Sequence, residues 1–219
     1  MKYLLIENLA VMVCATVGFL TGIPYLNTRK ALYASMIVQG MICVVLGRLY
    51  QCALLFTGGS LTDNFQVGSL GVMGAFSFFF SANYGQIDSL VDDGEKTFRK
   101  YRLIALIGPA YVVSMLVPIL LSPAAATFKI SCVIISVMIS MASYFHVKHL
   151  FIPDVDYGVV RCLRGYNALA VTLSVMCMWE LIALALNSQW LLIVSGVGLC
   201  AAALTLVPVM DRGVKKWRT

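Results

Sequence analysis

Seven apolar stretches, each near the roughly 20 residues a helix needs to cross a hydrocarbon core, follow one another with only short polar joints between them. They occupy residues 7–25, 30–56, 65–89, 103–121, 127–149, 158–186 and 188–210. With 60% hydrophobic residues, 12% charged residues and a mean hydropathy of +0.88, a chain of this length has more apolar surface than a water-soluble fold can hide. The expected fold is therefore an all-α integral membrane protein of seven transmembrane helices, forming a single domain over residues 1–219.

The basic residues give that bundle an orientation. Arg29 and Lys30 fall between spans one and two, and Lys96, Arg99, Lys100 and Arg102 between three and four. Lys148, Arg161 and Arg164 flank the fifth joint, and Arg212, Lys215, Lys216 and Arg218 follow the last span. All thirteen lie on one face of the membrane, while the joints at 58–64, 122–126 and 187–189 contain no Lys or Arg. By the positive-inside rule, which holds best for short loops, the N-terminus is expected outside and the C-terminus in the cytoplasm. The membrane expected is the plasma (inner) membrane. The net charge of +6 then reports orientation and contact with anionic headgroups rather than nucleic acid.

Lys2 before an apolar run invites comparison with a signal peptide, but Glu7 and Asn8 interrupt the run and no small-x-small cleavage site follows. It reads as a retained first span. The seven cysteines lack paired spacing and read as small apolar packers. The longest joint, SLVDDGEKTFRKYR at 89–102, is too short for an output domain, so any signal would pass to a cytoplasmic protein partner. Gly68, Gly71 and Gly74 on span three, and Gly196, Gly198, Ala201 and Ala202 on span seven, form small-residue stripes suited to close helix packing. Pro109, Pro118 and Pro208 are expected to kink or end their helices.

Two ionisable residues stand inside the hydrocarbon: Arg48 in VVLGRLYQC and Glu180 in MCMWELIAL. Counted from the outer ends of spans two and six, both lie about 10–14 Å deep at about 1.5 Å per residue. An isolated charge there costs at least about 2.5–3.5 kcal/mol, so each is the other's expected partner. Gln51 shares a helical face with Arg48, Glu7 and Asn8 enter from the outer end of span one, and Trp179 offers an aromatic wall. The ligand-binding set expected is Arg48, Gln51, Glu180, Glu7 and Trp179, with a buried salt bridge that merely staples two helices as the alternative.

A 3+1+3 parallel repeat is a further reading, with span four as the linker. Ile23-Pro24 after span one answers Ile152-Pro153 after span five, and Arg48 and Glu180 become symmetry mates. Transporters built from such repeats place their sites at the repeat interface.

A second polar cluster belongs to the cytoplasmic side: Asn83, Tyr84 and Asp88 at the end of span three, with His146, His149, Asp154 and Asp156 at the end of span five. His146 and His149 have the i, i+3 spacing of two metal ligands, yet a hydrated, helix-capping loop explains the cluster as well, and no metal site or cofactor is assigned. Residues 153–158 read as a turn with an Asp cap.

No HExxH, GxSxG, P-loop or paired intramembrane aspartate occurs, so no catalytic residue and no enzyme activity is assigned. Span seven has no Lys for a retinal Schiff base. The Pro-Gln signature of the seven-span sugar-efflux and KDEL-receptor-like proteins is missing, and no residue motif of either is matched. Two functional classes remain. A small-solute membrane transporter with a polar site between spans two and six needs no partner beyond the lipid bilayer. A seven-helix receptor or regulatory subunit would instead sense an external ligand and signal through a cytoplasmic partner. The transporter is the reading preferred.

Overall fold

The computed structural model describes residues 2–26, 32–84, 98–153 and 159–218. Every regular element among them is helical, as expected where lipid offers no partner to backbone N–H and C=O groups. Helix α1 (Lys2–Gly22) ends in a 3-10 turn at Ile23–Tyr25. It is followed by α2 (Leu32–Phe56), α3 (Ser69–Ala82), α4 (Arg99–Ala105), α5 (Ile107–Leu121), α6 (Ala126–Phe151), α7 (Val159–Ala185) and α8 (Gln189–Arg218). Six of these segments are long and apolar enough to cross a membrane: α1 with its 3-10 turn, α2, α4 joined to α5, α6, α7 and α8. They mark the chain as an integral, multi-pass membrane protein.

The third segment departs from expectation. Its described helix has 14 residues, Ser69–Ala82, and starts four residues later than the sequence suggests. Residues 65–68 are instead drawn into turns, with Val67 N donating to Phe65 O and Ser69 N to Gln66 O. Among the described residues the spans long enough to cross are thus six rather than seven, with α3 a shorter apolar helix. Residues 85–97, with Asp88 and Lys96, lie outside the described set, as do Arg29, Lys30, Asp154, Asp156 and all but Pro153 of the turn expected at 153–158.

The prolines act unevenly. The fourth span breaks between Ala105 and Ile107, and Ala105 is the residue whose carbonyl the Pro109 ring would strike in a continuous helix. Pro109 then falls in the first turn of α5, where a missing N–H costs nothing. Helices α5 and α8 run through Pro118 and Pro208. The residues after Met210, expected to lie beyond the last span, continue α8 to Arg218.

Six helices close a ring. In order around it stand α1, α2, α3, α6, α7 and α8, each packed on the next, with α8 back against α1; α4 and α5 lie outside, on α6 and α7. The chain's polarity is inverted relative to a soluble protein. Leu46, Val113, Val137 and Val197 are exposed on the perimeter, whereas Asn8, Arg48, Asn83 and Asn167 are buried inside. Small residues let the ring tighten. A Cβ on Gly71 of α3 would stand 2.5 Å from Cys43 O and 2.6 Å from Gly47 Cα on α2. The joints at 57–68, 122–125 and 186–188 gather beside the start of α1 at one end, here called upper, around a cleft. Tyr25 reaches Asp211 at the other end, where α8 finishes.

Candidate functional site

Arg48 is the centre of the upper half of the ring. On α2 it lies only 3% exposed, and its guanidinium grips the Glu180 carboxylate of α7 side-on, Nη1 to Oε1 and Nη2 to Oε2, at 2.5 Å each. Nη1 also donates to Asn8 Oδ1 at 3.0 Å and to Gln51 Oε1 at 3.3 Å. Glu7, one residue before Asn8 on α1, brings Oε1 to 3.7 Å from Nη1. That is an ion-pair distance, too long for a hydrogen bond. Its other oxygen accepts from Asn8 Nδ2 at 3.1 Å. Three ionisable side chains from three helices thus share one buried site, and among the described residues neither Glu7 Oε1 nor Arg48 Nε has a hydrogen-bond partner. The close approach of α1 to α8 depends on Gly196, where a Cβ would stand 2.7 Å from Glu7 Cγ.

The structure brings Arg48, Gln51, Glu180 and Glu7 together as their depth in the sequence suggests, and adds Asn8 as the link between them. Trp179 takes no part. One residue from Glu180 is a turn of about 100° on a helix, and the half-buried indole instead neighbours Tyr111 on α5.

Above this site the upper cleft has a volume of about 550 Å³. Its inner lining includes Leu4, Leu55, Leu184 and Leu192. Leu4 stands three residues above Glu7, and Leu184 four above Glu180, so about one helical turn of leucine separates cleft from charge. Beside the ions is a hollow of about 10 Å³ bordered by Gln51, Gln66, Ser69 and Glu180. Ser69 Oγ donates to Gln66 Oε1 at 2.7 Å and Gln66 Nε2 to Leu61 O at 2.9 Å. Below the guanidinium, a cavity of about 30 Å³, room for one water, is walled by apolar side chains including Met41, Phe76, Phe79 and Leu173.

A second buried polar layer closes the lower half. Asn83, in the turn that ends α3, is fully buried. Its Nδ2 donates to Asn167 Oδ1 on α7 at 2.9 Å and lies 2.6 Å from His146 Nδ1 on α6. Nδ1 of His146 lies 2.9 Å from the same Asn167 oxygen. Tyr33 Oη of α2 donates to Asn83 Oδ1 at 3.4 Å. The Tyr166 ring stands edge-on to both Tyr33 and His146, each at 5.6 Å. Of the cytoplasmic cluster expected from sequence, Asn83 and His146 meet. Tyr84 stacks on Phe80 at 5.4 Å and is exposed; buried His149 lies against Phe145 at 6.4 Å. Asp88, Asp154 and Asp156 lie outside the described residues. No group of three or more His, Cys, Asp or Glu is placed to hold a metal ion among the described residues. Tyr33, Tyr166 and Asn167 were not legible as site residues, since a lone Tyr or Asn in an apolar run signals nothing until the fold supplies its partner.

Compared with family models, curated proteins and solved structures, the chain matches none.

Proposed function

We propose that the protein is a small-solute membrane transporter whose site is the buried ion cluster between α2 and α7, entered from the upper cleft. The observation that carries this reading is the bidentate Arg48–Glu180 contact, which a solute bearing either charge can open by substituting itself for one partner. Two carboxylates and a guanidinium are an expensive way to staple helices in lipid, where apolar side chains of the same volume serve as well or better. A leucine layer one turn thick between a water-accessible cleft and a dry charged site is the form a closed gate takes.

The ring is compatible with the 3+1+3 repeat. Exchanging α1 with α6, α2 with α7 and α3 with α8 carries every neighbouring pair of the ring onto another neighbouring pair. Helices α4 and α5, outside the ring, are then the linker, and Arg48 and Glu180 lie on equivalent helices. In this reading α3 counts as the seventh span. The joints without Lys or Arg and the cleft face outward, and the C-terminus lies in the cytoplasm of a cell whose plasma (inner) membrane holds the protein. The reading invokes no catalytic step, cofactor or nucleic acid.

A thermal-shift screen of purified protein against charged and zwitterionic metabolites tests it. The expected result is a stabilising solute whose effect disappears in Arg48→Ala. A broad panel that shifts nothing, or shifts both proteins alike, contradicts the site. Labelling of Gly58→Cys by a membrane-impermeant maleimide on intact cells tests the orientation, with reaction expected.

A further inference from the structure

We infer that the upper ion cluster binds one exchangeable proton, held on Glu7 Oε1. Inside this buried site the charges do not balance. Glu7, Arg48 and Glu180 would together carry one net negative charge if all three were ionised, and the three residues are 8%, 3% and 6% exposed. Arg48 is fully committed to Glu180 through two short bonds, with Asn8 and Gln51 taking the rest of Nη1. Glu180 therefore has its countercharge and Glu7 has none of its own. Among the described residues its Oε1 is buried without a hydrogen-bond partner, 3.7 Å from the already satisfied Nη1. An uncompensated carboxylate in such surroundings is the species least tolerated in lipid, and a proton on that one free oxygen removes the excess charge.

The groups facing Glu7 from the elements packed on it supply no other remedy. They are Arg48 and Cys52 on α2, Glu180 and Cys177 on α7, and Cys200 on α8. Thiols are neutral near neutral pH and add no cation. Release of the proton breaks the Glu7 O–H bond and passes H⁺ to water in the upper cleft, past Leu4, leaving the carboxylate to attract whatever cation replaces it. If the site moves a solute, that proton is the ion exchanged against it; this last clause rests on the transport reading, whereas the proton itself does not.

The test is infrared spectroscopy of the full chain in lipid nanodiscs at neutral pH. A protonated carboxyl C=O band, sensitive to deuterium and shifted by ¹³C-glutamate labelling, is expected in wild type. It should vanish in Glu7→Gln and persist in Glu180→Asp. Because Glu7→Gln keeps the neutral form's shape, its melting temperature should match or exceed that of wild type. The isotope shift reads the wild-type protein directly should a variant fail to fold. No protonated band in wild type at neutral pH, a band that survives Glu7→Gln, or sodium-dependent melting in its place would overturn the inference. Absence of the band leaves the transport reading standing, and a solute panel without a hit leaves the band to be read on its own.

Discussion

The two buried polar layers sit in the same ring yet are built on different physics. The upper one joins α1, α2 and α7 through ionisable groups: Arg48, Glu180 and Glu7. The lower one joins α2, α3, α6 and α7 through neutral groups: Tyr33, Asn83, His146, Asn167 and Tyr166. Along α2 they are fifteen residues apart, about 22 Å of helix at 1.5 Å per residue. The lower layer is economical glue, since neutral hydrogen bonds fix four helices at modest desolvation cost. Each layer leaves buried polar atoms without a hydrogen-bond partner among the described residues, Glu7 Oε1 and Arg48 Nε in the upper, His146 Nε2 and Tyr166 Oη in the lower, but only the upper one buries an ion pair and lies directly under an open cleft. Buried ions placed next to solvent access are why we propose the upper layer, and not the lower, as the working site.

The contrast can be broken hardest at Arg48. Arg48→Ala leaves Glu7 and Glu180 buried without a cation and should destabilise the protein by about 3–5 kcal/mol, read as a large fall in melting temperature in detergent. Arg48→Leu/Glu180→Leu should regain most of that loss, because an apolar pair of similar volume replaces the ions. If Arg48→Ala melts near wild type, the pair is wet, and the comparison between layers fails.

Gly47 probes the framework one residue from the guanidinium. A Cβ there would stand 2.5 Å from Gly68 O, a backbone atom that cannot swing aside. Gly47→Val should therefore cost about 1–3 kcal/mol by overpacking and loosen α2 from α3.

At the lower layer, Asn83→Ala removes the group that serves His146, Asn167 and Tyr33 together. A loss of about 1–3 kcal/mol is expected from the polar atoms left buried, with solute binding at the upper site unchanged. Loss of binding without loss of stability would move the site downward. The smallest effect belongs to Tyr33→Phe. Its hydrogen bond is long at 3.4 Å, while its ring contacts survive the substitution, so no more than about 0.5–1 kcal/mol should go.

How far these layers could be read from sequence depends on what each residue announces by itself. A charge inside an apolar run is loud: Arg48 and Glu180 had to be paired, and equal depth on two helices named the partner. Depth also brought in Glu7 and Gln51, but facing did not follow from depth, and Trp179 lies on the wrong side of α7. The break before Pro109 was legible because proline acts locally on the carbonyl four residues back. The shortness of α3 was not, since the turns at 65–68 arise from hydrogen bonds that hydropathy does not encode. Nor was the lower layer, because Asn167 and Tyr33 are polar in a way that any helix tolerates. Only ring closure, with α3 against α6 and α6 against α7, brings them to Asn83.

Flux through proteoliposomes containing Arg48→Leu/Glu180→Leu, assayed with the solutes that stabilise the wild-type protein, tests the central claim most directly. The account predicts a double variant that melts near wild type yet neither binds nor moves those solutes. A double variant of native stability that still transports them would show that the ion pair only holds α2 to α7, and would contradict it.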